Sequence, residues 1–381
     1  MRVLLSTIGS RGDVQPLAGL ALRLRERGGE VRLCVPPDFT GWLEGLGLPV
    51  TPIGPELRPG PVPVDIPRSV ADQFAAVSAA AEGCDVIVAA TALQIAARSV
   101  AELRGIPYVF AAYSPNVLPS PHHAPPLPGP AGATNAELWA LDAQRFDAAF
   151  GAALNAHRAE LGLPAVGDVR GHVFGDRPWL AADPVLGPWP ETGGAVWQTG
   201  AWLVADDRPL SPALEAFLDS GDPPVYFGFG SMRAPTELGG TMVAAARAAG
   251  RRAVVSRGWA GLSPDDGADC LVIGEVNQRA LFPRVAAVVH HGGAGTTTAA
   301  ALAGAPQVVV PQLYDQHYWA GRVRELGIGT AHAPGAPTTA SLSDALRAAL
   351  DPAVAERARN TAGEMRTDGA DVAAAALLAG A

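Results

Sequence analysis

The sequence predicts an α/β protein with two doubly wound, Rossmann-like domains in tandem. Short apolar runs alternate with helix-like stretches, which is typical of parallel βαβ units. The alternation stops in a turn-rich region and then restarts, and 381 residues exceed a typical single domain. The predicted boundaries are an N-terminal domain over 1–190, a linker over 191–211, a C-terminal domain over 212–365, and a closing helix over 366–381 that packs back on the N-terminal domain.

The first domain is predicted from four buried strands and the helices between them. Apolar runs predict strands over 2–8, 30–35, 85–90 and 107–112. Helical patterns cover 14–27, 92–104 and 135–161. Two proline-rich stretches, 54–68 and 114–134, show no periodicity, and long loops of this kind are usually functional or disordered.

The second domain repeats the alternation. Strands are predicted over 225–229, 253–256, 271–273, 286–290 and 307–310. Each strand is followed by a polar or glycine-rich turn. Because ligands of such sheets bind beyond the carboxyl ends of the strands, we expect the site to be built from these turns, in a cleft between the two domains.

Composition excludes several classes of protein. A formal net charge of −9 argues against a non-specific nucleic-acid binder, which needs a basic face. The three cysteines lie far apart without CxxC spacing, so we expect neither a metal site nor a disulfide framework. Since no run of about 20 apolar residues occurs, we expect no membrane span and a soluble, cytoplasmic protein. We also expect a monomer.

The stretch Ala286–Ala300 carries the strongest chemical signal. An apolar run ends in two histidines, and then come glycines, threonines and a helix-like run. Free N–H groups at such a helix N-terminus favour an anion, and His291 and the hydroxyls of Thr296 and Thr297 add donors. We therefore predict a diphosphate site here; the alternative is a plain glycine-rich turn.

The first turn of the chain contains a serine and an aspartate, Ser10 and Asp13. Asp13 stands at the predicted cleft edge, where a lone carboxylate could act as a general base. It equally suits a cap for the helix expected from Val14. Ser10 either orients a substrate or is a simple turn hydroxyl. Position alone leaves these alternatives open.

Taken together, these stretches resemble the GT-B fold glycosyltransferases that act on natural products. The resemblance is greatest to the actinomycete enzymes that glycosylate vancomycin- and teicoplanin-type heptapeptide aglycones. It covers essentially the whole chain, from MRVLLSTIGSRGDVQPL through PVYFGFGS and GADCLVIGEVN to HHGGAGTT. It implies a GT-B fold and inverting transfer of a sugar from a dTDP- or UDP-sugar to an aglycone hydroxyl, with no nucleic-acid or membrane partner.

The resemblance also assigns roles to residues of this chain. It implies Asp13 as the general base, with Ser10 beside it. For the diphosphate it implies Ser231, His291, Gly293, Gly295 and Thr296. For the nucleoside we assign Arg257, Trp259 and Val276, and for the sugar Asp315 and Gln316. From the residues alone, Ser231 also suits a helix cap, Arg257 a solvated cation, Trp259 a core residue, and the Asp315–Gln316 pair a solvated loop.

No metal or cofactor is predicted. The DxD spacing that commonly marks a metal-bridged diphosphate is absent from the sequence. We therefore expect metal-independent catalysis, in which the helix dipole and nearby donors neutralise the leaving group.

The sequence also allows other functions. A dinucleotide-dependent oxidoreductase would explain an acid at Asp315, 20 positions after Gly295, but Thr298 stands where the third glycine of its fingerprint belongs. A nucleotide-sugar epimerase would need no large acceptor site, which the long loops disfavour. Transfer to another natural product such as a polyketide, or binding without turnover, completes the alternatives.

Overall fold

A computed structural model of the chain describes residues 1–58, 65–191, 194–232, 235, 237–264, 267–333 and 336–380. The chain divides into two compact units. The first contains Met1–Pro184, Pro188–Val204 and the segment from Arg366 onward, and the second contains Val185–Gly187 and Ala205–Met365. Residues 59–64 of the first predicted loop lie outside the described residues.

The first unit is built on a parallel seven-stranded sheet. Its order is β3-β2-β1-β4-β5-β6-β7. The strands are β1 (Arg2–Thr7), β2 (Glu30–Val35), β3 (Val50–Pro52), β4 (Val86–Ala90), β5 (Tyr108–Ala112), β6 (Trp179–Leu180) and β7 (Trp197–Gln198). The central strands β1 and β4 are almost fully buried because helices cover both faces of a parallel sheet.

Seven α-helices of this unit lie in the part of the chain that the structure describes. They are α1 (Arg11–Glu26), α2 (Thr40–Gly45), α3 (Ile66–Ala80), α4 (Ala97–Arg104), α5 (Asn135–Glu160), α6 (Val169–Phe174) and α14 (Gly369–Leu378). Helix α14 packs against α1, where Asp371 lies 3.2 Å from Arg27 and 3.6 Å from Arg23. Gly369 approaches Gly200 so closely that an added Cβ would lie 2.3 Å from the Gly200 carbonyl carbon.

The structure adds detail at two places in this unit that the sequence leaves approximate. Helix α1 begins at Arg11 and not at Val14, because Ser10 caps it and Asp13 already lies in its first turn. The predicted linker over 191–211 is not a free connection, since β7 within it pairs in parallel with β6. The chain enters the second unit at Ala205.

The second unit has a parallel six-stranded sheet with the order β10-β9-β8-β11-β12-β13. Its strands are β8 (Val225–Gly228), β9 (Ala253–Ser256), β10 (Cys270–Ile273), β11 (Ala287–His290), β12 (Gln307–Val309) and β13 (Gly329–Ala331). Its helices are α7 (Pro212–Asp219), α8 (Leu238–Ala248), α9 (Gln278–Leu281), α10 (Ala294–Leu302), α11 (Gln316–Glu325), α12 (Thr339–Ala349) and α13 (Pro352–Glu364). Consecutive residues of β8, such as Tyr226 and Phe227, enter separate apolar clusters, because side chains along a strand alternate between its two faces.

Each unit therefore places the carboxyl ends of its parallel strands along one edge, which is where the site residues lie. All three cysteines are free and buried. Among the helices that the structure describes, none is both long and apolar enough to cross a membrane.

Candidate functional site

Asp13 and Ser10 form a capping box at the carboxyl edge of the first sheet. The Asp13 Oδ2 atom accepts hydrogen bonds from the Ser10 N–H at 2.6 Å and from the Ser10 hydroxyl at 3.1 Å. The Ser10 oxygen in turn accepts from the Gly12 N–H at 3.3 Å. Asp13 thus caps the helix from within its first turn, and the same contacts hold its carboxylate in one orientation.

The surroundings of Asp13 change its acidity. Burial raises the pKa of the half-buried carboxyl to about 6, against the two Ser10 hydrogen bonds, which lower it. A carboxylate with a pKa near 6 is ionised at neutral pH and is a much stronger base than an ordinary aspartate. Capping and proton abstraction are therefore compatible at this position.

Two neighbours of Asp13 were not identified from the sequence. An added Cβ at Gly9 would lie 2.3 Å from Asp13 Oδ2, so the carboxylate rests against a bare glycine. The Tyr113 hydroxyl donates a hydrogen bond to the Asp13 carbonyl oxygen at 3.2 Å. Burial raises the pKa of this phenol well above 10, so it remains a donor. Tyr113 follows β5 directly, and the strand-end rule could have found it.

In the second unit, His290 ends strand β11 as a buried structural residue. Its Nδ1 accepts from the Gly292 N–H at 3.1 Å, so its Nε2 donates to Gln307 Oε1 at 2.9 Å. Burial lowers the pKa of His290 to about 3, which keeps the ring neutral. Gly292 has a φ of 92°, and an added Cβ there would lie 2.7 Å from Val309 Cγ1. The turn therefore requires glycine.

His291 lies beside the open N-terminus of α10. Gly293 is the N-cap and gives no side-chain cap, so the first N–H groups of the helix lack that partner. An added Cβ at Gly293 would lie 2.6 Å from His291 Nε2. Burial lowers the pKa of His291 to about 4, and its buried Nδ1 has no hydrogen-bond partner among the described residues. A neutral ring beside exposed backbone donors suits an anionic oxygen.

The threonines of α10 divide between two roles. Thr297 and Thr298 are buried and donate to the carbonyl oxygens of Gly293 at 2.9 Å and Ala294 at 2.8 Å. The expectation that the Thr297 hydroxyl adds a donor for an anion is therefore wrong. Thr296 is half-buried, and its hydroxyl bonds to no residue that the structure describes. Gly295 is exposed in the same turn.

Ser231 follows β8 in a turn that reaches the His291 ring. An added Cβ at Gly230 would lie 3.6 Å from His291 Cε1. Ser231 is half-buried and is not the cap of α8, whose N-cap residue is Glu237. The backbone N–H of Trp259 donates to the Gly230 carbonyl at 2.9 Å, which joins the turn after β9 to the turn after β8. The Arg257 side chain is exposed there, without an ion pair to any described residue.

The predicted nucleoside loop follows β10. Val276 is half-buried against an apolar cluster that includes Leu210. The neighbouring Asn277 was missed by sequence analysis: its amide donates to the carbonyls of Asp206 at 2.7 Å and Arg208 at 2.9 Å. Its Oδ1 accepts two N–H groups of α9. Asn277 thus fixes the loop, beside a cleft of about 510 Å³ that Val276 helps to line.

The predicted sugar loop follows β12. Gln316 is buried, and its Oε1 accepts from the N–H groups of Gln312 at 2.8 Å and Leu313 at 3.1 Å. Its oxygen therefore closes the loop, while its amide nitrogen donates to Met232 Sδ at 3.6 Å and keeps a second N–H. The Asp315 carboxylate is half-buried and accepts from Trp319 Nε1 at 3.0 Å.

Most of the predicted site residues of the second unit lie close together. An added Cβ at Gly292 would lie 3.1 Å from the Gln316 carbonyl oxygen, and Gln316 Nε2 lies 3.6 Å from Met232 Sδ. The turns after β8, β11 and β12 therefore form one site, which contains Ser231, His291, Gly293 and Gln316. Arg257 and Trp259 border it after β9, and Val276 follows the edge strand β10.

Comparisons with known proteins agree with this arrangement. Residues 3–120 match the glycosyltransferase family 28 N-terminal domain, and residues 268–376 match the erythromycin biosynthesis protein CIII-like C-terminal domain. The chain is 51% identical to glycosyltransferase GtfE of Amycolatopsis orientalis, over 100% of this chain and 97% of that protein. It is 50% identical to the vancomycin aglycone glucosyltransferase of the same organism (99% and 97%) and 46% identical to its dTDP-epi-vancosaminyltransferase (94% and 92%).

Solved structures show the same fold. The kitacinnamycin glycosyltransferase superimposes with a TM-score of 0.75 at 22% identity, over 99% of this chain and 98% of that one. The glycosyltransferase VinC, solved with dTDP, gives a TM-score of 0.70 at 21% identity, over 99% and 98%. The two Rossmann-like units are those of the GT-B fold.

Proposed function

Because the chain belongs to the family of glycosyltransferases that includes GtfE and the vancomycin aglycone glucosyltransferase, we propose a specific reaction for it. It transfers a sugar from a dTDP- or UDP-sugar to a hydroxyl of a glycopeptide antibiotic aglycone, with inversion and without a metal ion. The observation that carries the chemical part is the Asp13 carboxylate at the carboxyl edge of the first sheet, held in one orientation by the Ser10 N–H and hydroxyl. Burial raises the pKa of this carboxyl to about 6. The names of the relatives support the donor and acceptor classes.

The proposed step is a direct displacement. The acceptor oxygen forms a bond to the anomeric carbon while the bond from that carbon to the diphosphate oxygen breaks, and the electron pair leaves with the diphosphate. The acceptor proton moves to the Asp13 carboxylate. One carboxylate and one displacement invert the anomeric configuration. Ser10 supports the base by holding Oδ2 and does not need to touch the substrate.

The leaving diphosphate is assigned to the second unit. The open first turn of α10, from Gly293 through Gly295 and Thr296, offers N–H groups and the positive end of the helix dipole. Neutral His291 and Ser231 add hydrogen bonds, and the exposed Arg257 adds a positive charge. These groups act where charge develops and can take the place of a metal ion.

The rest of the donor is assigned to the adjoining turns. Val276, on the loop that Asn277 fixes, and the half-buried Trp259 hold the nucleoside. Asp315 accepts from the sugar hydroxyls, and Gln316 donates through its amide nitrogen while its oxygen holds the loop. A relative named for a dTDP-sugar favours thymidine over uridine in the donor.

Mass spectrometry of reaction mixtures tests this function. Purified protein is incubated with vancomycin or teicoplanin aglycone, or with a polyketide aglycone, and a panel of dTDP- and UDP-sugars in the presence of EDTA. We expect a sugar-sized mass gain on a glycopeptide aglycone. Transfer to the polyketide alone would show that the acceptor is a polyketide and not a glycopeptide aglycone. Activity restored only by Mg²⁺ would contradict metal independence, and conversion of a donor to its epimer without acceptor would favour an epimerase.

We also propose that the protein acts as a monomer in the cytoplasm. Three free, buried cysteines fit a reducing compartment. Light scattering at working concentration measures the oligomeric state, and a mass of twice 39.0 kDa would contradict the monomer.

A further inference from the structure

The two carboxylate oxygens of Asp13 have different surroundings. Oδ2 accepts both the Ser10 N–H and the Ser10 hydroxyl. Oδ1 accepts no hydrogen bond from another residue in the described parts of the chain. An oxygen with two donors is a poor proton acceptor, because a proton must compete with bonds already formed. Oδ1 receives no donor from another described residue and is therefore the more basic position.

Gly9 makes this orientation possible. A Cβ at Gly9 would lie 2.3 Å from Asp13 Oδ2, 2.5 Å from its Cγ and 2.8 Å from its Cβ. These distances are far below van der Waals contact, so any side chain at position 9 would occupy the place of the carboxylate. The φ angle of Gly9 is not in the left-handed region, so the glycine is required for space and not for backbone conformation.

The backbone around Gly9 is held in place, which leaves the carboxylate as the group that must move. The Thr91 hydroxyl donates to the Ile8 carbonyl at 3.2 Å, from a residue whose φ of 73° is unusual for a β-branched side chain. The Tyr113 hydroxyl, just after strand β5, donates to the Asp13 carbonyl at 3.2 Å. Hydrogen bonds from residues just after β4 and β5 therefore hold the turn on both sides of Gly9, where an added Cβ would meet the Asp13 side chain.

We propose that Gly9 is a positioning residue for the transfer reaction: its missing side chain forms the seat in which Asp13 Oδ2 is anchored, so that Oδ1 takes the acceptor proton. This inference rests on the proposed role of Asp13 as general base. Among the described residues, the titratable group that interacts with Asp13 from a neighbouring segment is Tyr113, just after β5, and burial keeps its phenol protonated.

The test substitutes Gly9→Ala, with Gly12→Ala as the matched control in the same turn. A Cβ at Gly12 would meet only Ser10 Oγ, at an ordinary 3.6 Å. We expect Gly9→Ala to lower kcat by about 100-fold, the effect of misplacing a catalytic group by about 1 Å. The KM for the donor and the Kd for dTDP should stay unchanged, because the donor is assigned to the second unit. The acid limb of the pH profile should move away from its wild-type position.

Two further results separate the possible failures. If Gly9→Ala retains the kcat and pH profile of Gly12→Ala while Asp13→Asn is inactive, Gly9 does not position the Asp13 carboxylate. The assignment of Asp13 as the base would still stand. If Asp13→Asn keeps full activity, the base assignment itself fails. Thermal unfolding of each variant shows whether it is folded, and dTDP binding by calorimetry reports the second unit. A loss of kcat in a folded Gly9→Ala protein that still binds dTDP supports the proposal.

Discussion

At the scale of single residues, Asp13 shows how a cap and a base can be the same group. Sequence analysis treated capping and catalysis as alternatives. The structure shows that the capping box orients the carboxylate and that burial raises its pKa, so capping is compatible with the proposed role as general base. No pattern in the sequence reports the balance between desolvation and two hydrogen bonds, because that balance depends on packing around the turn.

The pH dependence of catalysis follows from this balance. The base is active when ionised, so kcat/KM should fall as the pH drops through about 6. Ser10→Ala removes a hydroxyl donor that lowers the pKa of Asp13, so the acid limb should move to higher pH. Steady-state kinetics between pH 5 and 9 measure the shift. A limb that stays in place, or moves to lower pH, would show that the Ser10 hydroxyl does not stabilise the charged base.

At the scale of elements, long periodic segments were predictable and some of the short ones were not. The predicted helix over 135–161 is confirmed as Asn135–Glu160. Strands β3, β6, β7 and β13 have two or three residues each and were not predicted, whereas the equally short β12 was, because it lies in the apolar run over 307–310. Roles within the site turns were harder to predict. Thr297 bonds back to its own helix and Gln316 closes its own loop, and both depend on contacts that residue type alone does not reveal.

The N-terminus of α10 gives a second prediction. Gly293→Ala should displace the His291 ring, because the new Cβ would lie 2.6 Å from Nε2. Losing one hydrogen bond to a charged diphosphate should weaken dTDP binding by about tenfold or more. Gly321→Ala on α11 is the control, since nothing lies within 4 Å of its Cβ position. Calorimetric titration compares the two variants, and equal affinities would remove His291 from the diphosphate site.

A buried network joins three helices of the first unit. Arg158 on α5 donates to Ser99 at 2.8 Å and to Glu102 at 2.7 Å on α4, and Ser99 bonds His172 on α6 at 3.0 Å. Arg158→Met would leave these partners incompletely satisfied and should lower the free energy of unfolding by about 3 kcal/mol. Urea denaturation measures this, with the exposed Arg177→Met expected within about 0.5 kcal/mol of the wild type. Equal midpoints for both variants would contradict a stabilising network.

At the scale of the whole molecule, the alternation of strands and helices predicted two Rossmann-like units, and the structure and the comparisons confirm them. Polar turns at strand ends led to the site in each unit, because parallel sheets gather their carboxyl ends along one edge. Gly9, Tyr113 and Asn277 escaped notice because they act on other residues of the chain. Family membership rests on about 50% identity along the full length, and the assigned chemistry rests on Asp13 and the open end of α10.

The anomeric configuration of the product, read by NMR, shows whether transfer is a direct displacement with Asp13 as the base. The wild-type protein is incubated in EDTA with a glycopeptide aglycone and an α-linked dTDP-sugar, and the anomeric coupling of the isolated product is read. We predict a β-linked sugar on an aglycone hydroxyl, formed by the wild type and not by Asp13→Asn. An α-linked product, or the same β-glycoside formed at full rate by Asp13→Asn, would contradict direct displacement with Asp13 as the base.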